Sequence, residues 1–191
     1  MSRVEHSRFS KWLVVAFFVA MIPARSADLY QETAVKAAFL YRFTGYVEWP
    51  RDNVKSHFFT IAVLGSNRVS SELQRVLEGR TIKDRQARVK LVRSASQALD
   101  SQVLYVGSEF DGDLFAVTRA LEGKPILVVT DDSHGLDVGA TISFVLIDRR
   151  VRFDVSLPAA QEAGLKISSE LLGVAASVRG APMPAEASTA K

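Results

Sequence analysis

The run Thr130-Asp131-Asp132-Ser133-His134-Gly135-Leu136-Asp137 gathers three carboxylates and one of only three imidazoles in the chain. Carboxylate oxygens beside an imidazole nitrogen can ligate a divalent ion or exchange protons with a substrate. The run follows a short apolar segment, the place where α/β folds commonly present ligands. A metal-dependent hydrolase centred on Asp131, Asp132 and His134 is therefore one reading. Its spacing matches no EF-hand, HExxH or triad pattern. Asp and Ser also cap ordinary turns, and a solvated turn is the better reading.

Other stretches offer less chemistry. Gly65-Ser66-Asn67-Arg68 could present backbone N–H groups and the Arg68 cation to an anion at a helix start, or Ser66 or Asn67 could act as a plain N-cap. Gly107-Ser108-Glu109-Phe110 lacks the glycines that flank a nucleophilic serine elbow. No Walker A loop or dinucleotide-binding glycine fingerprint is present. The basic set Arg80, Lys83, Arg85, Arg88, Lys90 and Arg93 is interleaved with Asp84 and lacks exposed aromatic partners. It reads as a solvated sheet edge, and no nucleic-acid groove is expected. The chain has no cysteine, which excludes disulfides, a thiol nucleophile and a lipoprotein anchor. No cofactor is expected.

The elements that must carry these residues alternate. Apolar runs at Phe59–Leu64, Val103–Val106 and Ile126–Val129, and the half-buried Ala87–Val92, read as strands. Helical patterns at Val69–Leu77, Ser96–Asp100 and Gly112–Leu121 separate them. Such spacing predicts right-handed crossovers and an α/β, Rossmann-like three-layer sandwich with a mostly parallel sheet. Ala140–Ile147 and Val151–Leu157, joined only by Asp148-Arg149-Arg150, must instead form a C-terminal antiparallel hairpin. Helices at Pro158–Ala163 and Ser168–Val178 follow.

Residues 1–26 read as a cleaved secretory signal peptide. Arg3, Arg8 and Lys11 precede the apolar run Trp12–Ile22, and small residues follow Pro23. The run is shorter than the ~20 apolar residues a spanning helix needs. Four basic residues and one acid lie in this segment. Of the 24 basic and 21 acidic groups in the chain, 20 of each remain after it, so the basic pI supports no polyanion partner for the exported form. About 165 residues remain, enough for one domain with a sizeable core. That domain is expected over 27–178, with a disordered tail at 179–191.

The most unusual element is KAAFLYRFTGYVEWP, Lys36 to Pro50. Asp28 and Gln31 resemble a capping box that opens its helix, and Pro50 should stop the helix near Trp49. Val35, Phe39, Leu40, Phe43, Tyr46 and Val47 form one stripe at helical spacing, expected to face the core. The opposite side, Ala37, Ala38, Tyr41, Gly45 and Trp49, carries small and aromatic residues with little charge. Such a surface permits close approach of another element.

These residues also carry a resemblance. Ala34, Lys36-Ala37-Ala38-Phe39-Leu40-Tyr41, Phe43, Tyr46-Val47 and Trp49-Pro50 resemble the opening signature of the YfiR family. Val151-Arg152-Phe153-Asp154-Val155, Ala159-Ala160 and Ala163-Gly164-Leu165-Lys166-Ile167-Ser168-Ser169-Glu170-Leu171-Leu172 are similar to its closing signature. Between them, Val63-Leu64-Gly65, Thr130-Asp131, Gly139 and Ile142-Ser143-Phe144 fall in family order. The resemblance implies a periplasmic, non-enzymatic repressor that binds the periplasmic sensor region of a membrane diguanylate cyclase, lowering cyclic di-GMP and biofilm formation. It further implies a homodimer and release through an outer-membrane lipoprotein. This chain departs from the family in carrying Val138-Gly139 for a common Gly-Gly, and in lacking cysteines. The family offers no catalytic motif. Tyr41, Lys166 and Glu170 are the candidate partner-binding residues. The alternative is a periplasmic small-ligand sensor whose pocket is formed by Ser66, Asn67, Arg68, Asp131, Asp132 and His134.

Overall fold

Short apolar runs buried on both faces can satisfy their backbone only as central strands, and the chain uses them so. A computed structural model describes residues 24–50 and 56–180, excepting the side chains of residues 24–30. In chain order the elements are α1 (Ala24–Tyr46), β1 (Val47–Glu48), β2 (Phe58–Leu64), α2 (Asn67–Leu77), β3 (Thr81–Ile82), β4 (Arg85–Val92) and β5 (Val103–Val106). Then come α3 (Leu114–Ala120), β6 (Leu127–Thr130), β7 (Ile142–Ile147), β8 (Arg150–Ser156), α4 (Leu157–Glu162), β9 (Lys166–Ile167), α5 (Ser169–Val174) and β10 (Ser177–Arg179). Short 3-10 turns occupy Ala95–Ala98 and Gly135–Val138.

Among the described residues the main sheet has eight strands, ordered β10-β8-β7-β6-β5-β2-β4-β3. The five from β4 to β7 run parallel, while β8 returns antiparallel beside β7. The α/β sandwich and its C-terminal hairpin are as the sequence pattern implies. Successive side chains alternate between two cores. Phe59, Ile61, Val63, Val103, Tyr105, Leu127 and Val129 face α1, α2 and α5. Ala62, Leu64, Leu104, Val106 and Val128 face α3 and the first 3-10 turn.

Four expectations are corrected. First, α1 begins at Ala24, ahead of the expected opening at Asp28, and ends at Tyr46, well before Pro50. Val47 and Glu48 leave the helix to pair with Ile167 and Lys166; a sheet pairing from the other end of the chain overrides the local signal. Second, the buried stripe of α1 is Ala37, Leu40, Phe43 and Thr44, and Val47 continues it from β1. Tyr46, expected inside, is 42% exposed, and Ala37, expected on the far side, is fully buried. Third, the final helix stops at Val174. The Ala176 N–H donates to Phe153 O, and Ser177–Arg179 then runs parallel to β8 as a strand where helix was expected. Fourth, the β7–β8 link is two residues long, because Arg150 already pairs with Ile147. The expected signal peptide before Ala24 and the tail from residue 181 lie outside the described residues.

Candidate functional site

The loops after β2, β5 and β6 meet at the carboxyl edge of the sheet, as parallel topology requires. The first is closed. Ser66 Oγ accepts from Val69 N–H at 3.3 Å and caps α2. The Glu109 N–H donates to Gly65 O at 3.1 Å, which seats the next loop directly over it. Gly65 has φ +68, and a Cβ there would stand 2.4 Å from Phe110 Cβ. Glycine is the residue this contact demands. Asn67 and Arg68 point outward and are exposed.

The third loop sends its carboxylates in three directions. Asp132 Oδ1 accepts from the His134 N–H at 2.8 Å, a local Asx turn, and the His134 ring is exposed. Asp137 pairs with Arg179 at 2.6 Å. Asp131 alone turns inward. Among the described residues no group of three or more His, Asp or Glu side chains could hold a metal ion. A cavity of about 250 Å³ opens here, and of the six residues nominated for a ligand pocket only Asp131 and Asp132 line it.

Asp131 belongs to a buried charge network that the loop reading missed. Its Oδ2 accepts from the Tyr105 hydroxyl at 2.6 Å and lies 3.0 Å from Lys36 Nζ. Lys36 also meets Glu32 at 2.5 Å, one turn earlier on α1. The Lys36 and Asp131 side chains are only 12% and 9% exposed. Burial first, then the Asp131 charge, pushes the Tyr105 phenol above its ordinary value. This network bolts α1 to the end of β6. A lysine in the middle of an otherwise apolar helical segment was the available signal, since such a cation must find a buried partner.

The basic set proves to be divided. Lys90 and Arg88 share Asp100 at 2.8 and 3.6 Å, and the Lys90 hydrogen bond is the main cause holding the Asp100 carboxyl below its usual range. Among the described residues these cations have no exposed aromatic partner, as expected, but four of them lie over buried or half-buried rings. Arg80 lies 5.1 Å from the Tyr41 ring centre, Lys83 5.7 Å from Trp49, Arg85 4.9 Å from Phe59 and Arg88 4.6 Å from Phe58. Pairing of β4 with β2, and of β3 with β4, brings residues distant in sequence into these stacks.

Elements from the two ends of the chain converge around α1. Phe39 and Phe43 pack against Phe153 at 5.5 and 5.0 Å between ring centres. The Ser168 N–H donates to Tyr46 O at 2.9 Å, and β1 pairs with β9. A family model described as YfiR/HmsC-like matches residues 33–176, more than half the chain. The chain belongs to the YfiR/HmsC-like family. The family as a whole is periplasmic and regulatory and is associated with cyclic di-GMP signalling. Among the described residues no helix is long and apolar enough to cross a membrane.

Two solved structures are similar to parts of the chain, and only the second supports the fold. A conserved domain protein from Vibrio cholerae O1 biovar El Tor str. N16961 is 11% identical, with a TM-score of 0.49. An ABC domain in complex with L-Trp from Streptococcus pneumonia is 12% identical, with a TM-score of 0.51. Each alignment covers 77% of this chain but only 60% of the other. No protein of curated function matches the chain in sequence.

The YfiR/HmsC-like signatures therefore encode, in large part, the packing of α1 on β8, β9 and α5. The three nominated partner-binding residues sit on that assembly. Lys166, in register with Glu48, and Glu170, near the start of α5, are both exposed. The Glu170 carboxyl is held below its usual range by its own backbone N–H first and the Ser168 hydroxyl second. Tyr41 is half-buried beneath Arg80.

Proposed function

We propose that this protein is a protein-binding repressor of an inner-membrane diguanylate cyclase. It acts on the periplasmic sensor region of that enzyme and so lowers cyclic di-GMP and biofilm formation. One observation carries the reading: the family's opening and closing signatures, more than a hundred residues apart in sequence, fold against each other at the carboxyl end of α1. The exposed Lys166 and Glu170, with the half-buried Tyr41, belong to the contact between chains. Homodimerisation and release by an outer-membrane lipoprotein are part of the same proposal.

The ligand-sensor reading is weaker on physical grounds. Asp131 is already engaged by Lys36 and Tyr105, Ser66 by its own helix, and Asp132 by the backbone of its own turn. The test is co-purification of the mature domain with the sensor region, alongside cellular cyclic di-GMP. Tyr41→Ala and Glu170→Arg should raise cyclic di-GMP and weaken capture while leaving the unfolding midpoint near wild type. Undiminished capture by both folded variants removes these residues from the interface.

A further inference from the structure

Beside the carboxyl end of α1, the β3–β4 hairpin stands away from the helix and leaves an open groove of about 630 Å³. Its lining includes Tyr41, Arg42, Gly45, Tyr46 and Lys83. The floor is small and aromatic, and the rim is cationic. Among the described residues none of Arg42, Arg80 and Lys83 is paired with a carboxylate; Lys83 lies over the Trp49 ring, and Arg80, not itself a lining residue, lies over the ring of the lining Tyr41 and donates to its hydroxyl at 3.5 Å. Arg85, next on the same hairpin, buries its Nη1 with no acceptor.

Two further features point the same way. Lys83 and Asp84 have φ of +49 and +61, the left-handed region that costs a non-glycine residue roughly 1–2 kcal/mol. These two residues are the two-residue turn of the β3–β4 hairpin, which needs positive φ at both positions, and that turn fixes Lys83 at the groove. A Cβ built on Gly45 meets nothing within 4 Å. Packing does not require glycine there, and a large side chain at this exposed lining position would enter the groove.

We propose that this groove receives an acidic segment of the partner protein, its carboxylates meeting Arg42, Arg80 and Lys83 and an apolar side chain resting on Tyr41 and Tyr46. The inference rests on the repressor reading and names the chemistry of its contact. Cations already laid over aromatic rings lose little freedom on meeting a carboxylate, and a guanidinium pairs with one through two parallel bonds. The volume admits several side chains, far more than an inorganic ion fills.

The experiment uses the mature full-length chain and an array of 15-residue peptides tiling the periplasmic regions of the host's membrane diguanylate cyclases. Intact sensor regions and phosphatidylglycerol vesicles serve as parallel probes. The expected result is selective binding of acidic peptides. It should weaken roughly tenfold or more in Lys83→Glu and in Gly45→Trp, and fall with salt. Both positions are exposed, and circular dichroism and thermal unfolding verify the fold of each variant. Capture of intact sensor regions by wild type and both variants alike overturns the groove while the repressor reading stands. No capture of peptides or sensor regions overturns both. Binding to vesicles alone, or a dimer that Gly45→Trp dissolves with no peptide bound, assigns the groove to another occupant and also overturns the proposal.

Discussion

Replacing Lys36 with Met tests the bolt between α1 and the sheet. The ammonium lies 3.0 Å from Asp131, and at an effective dielectric constant of about 20 that attraction is worth roughly 5.5 kcal/mol before desolvation. Removing one partner strands the other: a buried charge left alone typically costs about 3–5 kcal/mol. The Tyr105 hydroxyl still donates to Asp131 and softens the loss, which places the expectation near ~3 kcal/mol. For a chain of this size that corresponds to a midpoint lowered by about 6–12 °C. Urea unfolding followed by circular dichroism at neutral pH gives the number. Asp131→Asn in the Lys36→Met background removes the stranded charge and should recover about 2 kcal/mol, a coupling a double-mutant cycle reads directly. A single-variant loss below about 1 kcal/mol, or strictly additive effects, would refute the claim that this pair holds α1 in place.

Two other outcomes follow from the same geometry. The Tyr105 phenol is raised above its unfolded value, so the folded state keeps its proton while the unfolded chain releases it. Its contribution is complete below about pH 10 and is lost as pH rises further, at up to about 1.4 kcal/mol per pH unit; Tyr105→Phe should flatten that part of a stability–pH profile. The hairpin turn Asp148-Arg149 has φ of +50 and +61, so replacing the pair with Asn-Gly should stabilise the domain by about 1 kcal/mol, and an unchanged denaturation midpoint would contradict that reading.

Most of the sheet was legible because burial writes itself into composition. Val103–Val106 and Phe59–Leu64 have few ways to be anything but central strands, and Ser66 announced the start of α2. The short pairings were not legible. Val47 looked helical, and only its partner Ile167, at the other end of the chain, makes it a strand; the same holds for Ser177–Arg179 beside β8. Tyr46 illustrates the limit of periodicity, since a helical stripe drifts by one residue without any local sign. The cation–ring stacks were invisible for a related reason. Arg80 and Tyr41 are far apart in sequence, and only the fold of the β3–β4 hairpin against α1 brings them together. The carboxylates of residues 131–137 were legible as a group, but not in their separate directions.

We propose that a protein surface does the work of this chain. Binding of the purified mature domain to the periplasmic sensor region of a host membrane diguanylate cyclase, with cyclic di-GMP production measured in the same membranes, tests it most directly. Saturable binding and a matching fall in cyclic di-GMP synthesis are expected, both weakened by Tyr41→Ala and Glu170→Arg. Saturating domain that binds no such region, and leaves synthesis unchanged across the host's membrane cyclases, would contradict it.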